Sequence, residues 1–432
     1  SQTLFGCMST TKAFTVVALG MLVDEGKLNW DDKVTKWLPD FRVDDPYITA
    51  DLRVRDLLTH NSGIGNTDIL WAWNQSISPD EVYRKMAMAK PAYPLRGGFI
   101  YQNNMYLIAG KVIEKASGMS WADFVTERIF KPLGMTSTFA TLDRSRAVTN
   151  RSTPHFEVDG KILNIPEMEA DPIAPAGAIW SNADDIAKWV NFWLNGGVVN
   201  GQALIKPATY AEIMRPQVIV PAREFYPTIA ITKPHWMTYG LGWFQHDYRG
   251  EMVEFHTGSL DGRTAIIGLI PDKKIGVYVF GNLDHAELRH ALIYKVFDLF
   301  AFNDNSRDWS ADFKKLYDDI HTNQAKQIDA IKAMRKAGTS PSLPLESYVG
   351  KYSDPFYGTI RVDMVDGKLK LVINDGLSAL LDPWQFDTFD AAWSKPWWGH
   401  SLAQFTIAAY APQVESLTVD GVVLKRDASR GN

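Results

Sequence analysis

The spacing of apolar residues changes partway along this chain, and the change limits the folds open to it. In the first half, MYLIAGKVIEKASG and SNADDIAKWVNFWLNGG place apolar residues three or four apart and close on glycine, which predicts helices. From Tyr239, YGLGWFQHDYRGEMVEFHTG and RTAIIGLIPDKKIGVYVFGN read as successive strands with turns at Arg249-Gly250 and Pro271-Asp272. A helix, HAELRHALIYKVFDLF, follows them. Helices ahead of a run of adjacent strands predict an α+β domain, an antiparallel sheet flanked by helices.

A second change comes later. Residues 308–338 are highly charged with modest apolar spacing and predict a solvated linker helix, and the prolines of SPSLPLESY mark a boundary. Beyond them GTIRVDMVDGKLKLVI, LAQFTIAAY and ESLTVDGVVLKRD alternate apolar and polar residues, with hairpin signals at Asp366-Gly367 and Asp420-Gly421. Short strands at near-regular spacing predict a small C-terminal antiparallel β-barrel. The chain thus reads as a main domain over 1–302, a helical linker over 303–343 and a barrel over 344–428.

Composition excludes several functions. A net charge of −5 spread over mixed-sign clusters gives no nucleic-acid face. One cysteine, Cys7, leaves no disulfide framework and no Cys-based zinc site, and His155, His246 and His285 have no ligand spacing, so neither metal nor cofactor is expected. No apolar run reaches the roughly 18 residues of a membrane span. The chain opens in SQTLFG without a signal segment and reads as a mature or trimmed form.

At the head of the first helix stands MSTTKAFT, in which Ser9 and Lys12 are three apart. Ser9 or Thr10 is placed to cap this helix, which runs from Ala13 to Val23 and stops at Gly26. Residues i and i+3 share a helix face, so the lysine amine reaches the serine hydroxyl. Serine is a weak nucleophile until a neighbouring base takes its proton, and a desolvated lysine can be that base. The pair alone is weak evidence, since about one or two S-x-x-K matches are expected by chance. Two further motifs follow in order: Tyr101-Gln102-Asn103 just before a helix, and His256-Thr257-Gly258-Ser259 at the end of a strand.

With these motifs the sequence resembles the serine β-lactamase and penicillin-binding protein superfamily, in the branch of class C β-lactamases, DD-peptidases, D-aminopeptidases and family VIII esterases. LVDEGKLNWDDKVTKWLPDF, DLRVRDLLTHNSGI, PAGAIWSNADDIAKWV and YGLGWF extend the resemblance over about residues 4 to 300. LESYVGKYSDPFYGTIRV and LLDPWQFDTF resemble the lipocalin-like barrel appended to some of these hydrolases. The resemblance implies a β-lactamase/transpeptidase-like fold and a serine hydrolase working through an acyl-enzyme. Ser9 is then the nucleophile, Lys12 its proton acceptor, and Tyr101 the second proton-transfer group, made phenolate-prone by Lys12. Asn103 orients Lys12 and holds the substrate amide, and His256 stands where a lysine is more familiar. Gly258 lets the strand approach closely, and the backbone N–H groups of Ser9 and Ser259 form the oxyanion hole.

The favoured substrates are peptides or amides, including D-residue peptides, with esters and β-lactams as alternatives and a non-catalytic penicillin-binding or sensor role as the rival. His60 is read as bracing its turn and Cys7 as a packed residue. Trp71, Trp73 and Trp180 are candidates to line a cleft. The barrel is assigned a cleft-side or homo-oligomer role, and the cell-wall relatives imply a periplasmic or secreted protein. The family carries some fifty or more residues before its serine helix and this chain eight, which predicts an open sheet edge that a separate N-terminal segment would complete.

Overall fold

The computed structural model describes residues 1–284 and 287–428; His285, weighed above as a metal ligand, lies outside the described residues. The chain forms two compact units: Ser1–Asp68 with Gln75–Asp318, and Ile69–Asn74 with the chain from Asp319 onward.

The first unit begins with strand β1 (Phe5–Gly6), a 3-10 turn over Met8–Thr11 and helix α1 (Lys12–Asp24). Every residue of α1 from Lys12 to Leu22 is buried, which is why AFTVVALGMLV has no polar face. Helix α2 (Asn104–Ser117) packs on α1 and closes at Gly118, whose φ of 74° is the left-handed cap its sequence signalled. Strand β2 (Trp180–Ser181) pairs with β1 and leads into α3 (Ala183–Leu194), capped by Asn182 accepting from the Asp185 N–H.

The main sheet is an antiparallel meander of β3 (Val218–Ile219), β4 (Met237–Tyr239), β5 (Phe244–Tyr248), β6 (Glu251–Leu260), β7 (Arg263–Ile270) and β8 (Ile275–Gly281), each beside the next. All eight residues of β7 are buried, as expected of a strand covered on both faces. Helix α4 (Leu288–Ala301) packs on β7 and β8. Among the described residues β8 pairs only with β7, so it forms one edge of the sheet. β6 outruns β5: its pairing with β5 ends at Phe255, while its pairing with β7 continues to Leu260. That overhang carries His256 to Ser259.

Some local expectations fail for identifiable reasons. Neither Ser9 nor Thr10 caps α1. Thr10 Oγ1 instead donates to the Cys7 carbonyl, and Ser9 meets Lys12, so both hydroxyls are used elsewhere. VRDLLTHNSGIG, whose apolar spacing reads as a short helix breaking at Ser62-Gly63, forms only a 3-10 turn over Val54–Leu57, held where Asp56 accepts from the Arg53 N–H.

In the second unit eight strands close an up-and-down barrel: β9 (Gly350–Asp354), β10 (Gly358–Val365), β11 (Lys368–Asn374), β12 (Leu377–Gln385), β13 (Thr388–Trp393), β14 (His400–Ile407), β15 (Val414–Val419) and β16 (Val422–Arg426). β9 pairs with β16 to close it, through Tyr352 and Arg426. The signalled hairpins at Asp366-Gly367 and Asp420-Gly421 have both residues at positive φ, the backbone that a tight two-residue turn demands. Tyr348, Leu371, Phe389, Phe405 and Leu417 fill the interior. Trp73 packs into this same core and Asn374 donates to its carbonyl, so Trp73 is a barrel residue rather than a cleft wall. Helix α5 (Trp309–Ala333) is not solvated throughout: Trp309 and Phe313 are buried in the first unit's core.

Candidate active site

The segment that carries Ser9 is held in a conformation it would not adopt alone. Met8 has φ of 46°, a left-handed backbone that costs an ordinary residue about 1–2 kcal/mol. Packing enforces it: Met8 is buried, and the Cys7 N–H donates to the Ile179 carbonyl at 2.7 Å. The β6 overhang lies directly against this turn. A Cβ on Gly258 would stand 2.6 Å from the Cys7 oxygen and 2.9 Å from the Ser9 nitrogen, so only glycine fits. The close approach is thus first to the nucleophile's own backbone. Ser9 sits at the N-terminal end of the turn leading into α1, where the helix field favours negative charge.

Lys12 is fully buried, and its amine meets three acceptors, Ser9 Oγ at 3.1 Å, Asn103 Oδ1 at 2.7 Å and the Ala176 carbonyl at 3.1 Å. Burial pushes its pKa down to about 7, and the charge of Asp68 opposes part of that fall. A large fraction of Lys12 is therefore neutral near pH 7 and able to accept the Ser9 proton. Asn103 is fixed in turn, since its Nδ2 donates to Asp68 Oδ2 at 2.7 Å.

Tyr101 stacks beneath the amine, with Lys12 Nζ 4.7 Å from the ring centre. Its hydroxyl is buried near the Ser9 hydroxyl and makes no hydrogen bond of normal geometry among the described residues. Burial holds its pKa well above the usual range, and the neighbouring Ser9 hydroxyl offsets this only in part. Tyr101 at rest is therefore a proton donor, not the phenolate expected from the proximity of Lys12.

Behind Tyr101 runs a chain that the motifs did not reveal. The Gln102 N–H donates to His60 Nδ1 at 3.0 Å, which leaves the proton of His60 on Nε2, facing the Tyr239 hydroxyl at 3.2 Å. His256 Nδ1 lies 2.6 Å from the Thr257 carbonyl and must carry a hydrogen, so its Nε2 accepts from Tyr239 at 3.0 Å. Each donor meets one acceptor. Burial and the charge of Lys12 depress both histidines, His256 to about 3, so the pair is neutral at physiological pH. His256 with both ring nitrogens occupied offers the substrate no cation, unlike the lysine it replaces. His60 does more than brace a turn: its ring lies 4.2 Å, centre to centre, from Tyr101.

These parts open on a cavity of about 440 Å³. Ser9, Asp68, Tyr101 and Asn103 line it together with Thr257, Ser259 and Arg289. Glu224, Phe225, Tyr226 and Phe244 complete it, and none of the three tryptophans proposed for a cleft lines it. Arg289 Nη1 donates to the Gly258 carbonyl and to Ser259 Oγ, both at 2.8 Å, and so fixes the overhang. Of the residues singled out in the sequence, Ser9, Tyr101, Asn103 and Ser259 meet at the cavity. Lys12 lies below them, and His256 and Gly258 lie behind. Asp68, Tyr239 and Arg289 were missed. Tyr239 opens YGLGWF, a segment already marked, but Asp68 and Arg289 carry no local signal. Burial pushes the Cys7 thiol up to about 12, which agrees with a packed residue rather than a reactive one. Among the described residues no group of histidine, cysteine and acidic side chains has the arrangement of a metal site, and no helix is long and apolar enough to cross a membrane.

A family profile described as Beta-lactamase matches residues 1–299. The chain belongs to the beta-lactamase family. A second profile, a domain of unknown function (DUF3471), matches 334–428. Among curated relatives, unguisins hydrolase ungD' of Aspergillus campestris (strain IBT 28561) is 27% identical over 390 residues, spanning 84% of this chain and 68% of the relative. The octameric penicillin-binding protein homologue from Pyrococcus abyssi has TM-score 0.59 at 23% identity, covering 98% of this chain and 88% of its own. D-amino acid amidase from Ochrobactrum anthropi SV3 has TM-score 0.57 at 24% identity, covering 70% and 85%. At such identities the two structures speak for the fold. This beta-lactamase-family member therefore shares a penicillin-binding-protein-like fold and has hydrolases among its relatives.

Proposed function

We propose that the chain is a serine hydrolase that cleaves amide or peptide bonds, D-residue substrates included, through an acyl-enzyme on Ser9. The observation that carries this reading is Lys12, buried, 3.1 Å from Ser9 Oγ and brought to a pKa of about 7. Neutral Lys12 takes the Ser9 proton as Oγ bonds to the carbonyl carbon. The oxyanion forms against the Ser9 and Ser259 N–H groups, beside the positive end of the helix. Tyr101, protonated at rest, gives its proton to the leaving nitrogen as the C–N bond breaks, and regains one from the Lys12 ammonium. Water then attacks the acyl carbon as its proton passes to the neutral Lys12, directly or relayed through Tyr101, and Ser9 Oγ takes a proton back as its bond to the acyl group breaks.

The hydrolase relative and the fold shared with a D-amino acid amidase support amides over β-lactams. Esters, with a better leaving group, should pass through the same site. Export to the periplasm or medium belongs to the same reading. The test is intact-protein mass spectrometry after mixing with an activated ester and with a penicillin, with Ser9→Ala as control. A transient ester adduct confined to the wild type supports the hydrolase, and a persistent penicillin adduct favours a penicillin-binding role. The absence of any Ser9-dependent adduct in folded protein contradicts both.

A further inference from the structure

Tyr101 is bracketed by one residue, His60. The N–H groups on either side of the tyrosine both go to it: Ile100 donates to the His60 carbonyl at 2.9 Å, and Gln102 to His60 Nδ1 at 3.0 Å. The imidazole and the Tyr101 ring lie 4.2 Å apart, centre to centre. His60 itself is fully buried and has φ of 58°, a left-handed backbone that a side chain of this size keeps only where its surroundings enforce it. Tyr93 is part of that enforcement, since its hydroxyl donates to the same His60 carbonyl at 2.9 Å. At its far edge, His60 Nε2 faces the Tyr239 hydroxyl, which bonds in turn to His256. That line ends on β6, the strand that also carries Ser259.

We propose that His60 is the positioning residue for the leaving-group proton: it fixes Tyr101 against the departing group and, through Tyr239 and His256, holds it in register with the oxyanion donors. This rests on the hydrolase reading and deepens it. The Tyr101 hydroxyl makes no hydrogen bond of normal geometry among the described residues, so its place is set by its backbone and by the packing of its ring. His60 supplies contacts to both. A displacement of about 1 Å in a reacting group can cost on the order of a hundredfold in rate. Both imidazoles are neutral, so His60 acts on Tyr101 by placement and not by charge.

This role has a signature that general damage to the fold lacks. During acylation Lys12 takes the Ser9 proton whatever group is leaving. The proton from Tyr101 matters only when that group cannot depart as an anion. A p-nitrophenolate departs unprotonated, whereas an ethoxide does not.

The test is kcat/KM, which reports acylation, for p-nitrophenyl butyrate and ethyl butyrate on wild type, His60→Ala and His60→Asn. Alanine removes both the ring and the acceptor. Asparagine tolerates the left-handed backbone and keeps a δ-oxygen for the Gln102 N–H, so it decides the matter if the alanine variant does not fold. Ethyl ester turnover should fall by at least about a hundredfold in His60→Ala and by about tenfold in His60→Asn. The p-nitrophenyl ester should lose far less, so the ratio of the two rates widens. Tyr101→Phe should widen it as well, and adding His60→Asn to Tyr101→Phe should widen it no further. An equal fall for both esters in folded His60→Asn overturns the proposal, as does a further widening in the double variant. If Tyr101→Phe leaves the ratio unmoved, Tyr101 is not the acid and the proposal falls, while Ser9-dependent turnover of the p-nitrophenyl ester keeps the hydrolase reading. Absence of any Ser9-dependent turnover in the wild type removes that reading and the proposal with it.

Discussion

The two units bury different things. Every buried polar or charged side chain among the described residues lies at or before Asp298, in the first unit, including Lys12, His60, Glu254, His256 and Arg263. The core of the barrel is Leu, Val, Ile and Ala packed round Tyr348, Tyr352, Phe389 and Phe405. Burying an ionisable group is costly unless its neighbours satisfy it. The first unit accepts that cost at several places, and one of them, Lys12 with His60 and His256, lies beside the cavity. The barrel spends its interior on packing alone. The lesson is that burial can mean pre-organisation of polar groups in one unit and apolar packing in the other.

The sharpest way to break this contrast is Ser9→Ala, expected to cut ester hydrolysis by at least about 10⁴-fold with an unchanged circular dichroism spectrum. Next is the barrel. Phe389→Ala, at a fully buried position, should lower stability by about 3–5 kcal/mol, seen in urea unfolding, while kcat for the same ester is unaltered at a temperature where the chain stays folded. A parallel fall in kcat would show that the barrel shares in the chemistry.

Glu254 sharpens the comparison through pH. Burial raises its pKa from 4.5 to about 8, and Gln245 donates to it at 3.0 Å. A carboxyl whose folded pKa is raised costs nothing below the unfolded value. Its penalty grows as pH rises from 4.5 to 8 and is complete above that. Glu254→Gln should therefore match the wild type near pH 4.5 and exceed it at pH 9 by up to a few kcal/mol, measured as urea midpoints across that range. A gap that does not vary with pH would mean the carboxyl is charged when folded. The smallest effect expected is from Tyr239→Phe, which leaves His60 and His256 without their shared partner. A loss of about tenfold in kcat/KM, the scale of one or two buried hydrogen bonds, with little change in melting temperature would mark a positioning role.

Much of this was legible in the residues. The order S-x-x-K, Y-x-N, H-T-G marked four residues that reach the cavity, and alternation with two Asp-Gly turns marked the barrel. Glycine at 258 followed from the motif, though its reason, contact with Cys7 and Ser9, needed the fold. The protonation states could not be read from the chain. Tyr101 is protonated at rest where a phenolate-prone ring was expected, and Lys12 is readied as an acceptor, because burial acts in opposite directions on a phenol and an amine, and burial is a property of packing. The link from His60 through Tyr239 to His256 was hidden for a similar reason: it joins residues up to 179 positions apart. Trp73 was misplaced because sequence spacing could not show that Ile69–Asn74 leaves the first unit and joins the barrel.

The central claim is that Ser9 attacks the substrate carbonyl by giving its proton to a neutral Lys12. The most direct measurement is the rate of Ser9 acylation by an activated ester between pH 5 and 9, by rapid quench with peptide mapping of the adduct. The account predicts a single adduct on Ser9 whose rate rises with pH through a midpoint near 7, the pKa of Lys12, and levels above it. A rate that does not change across this range, or an adduct on any other residue, would contradict it.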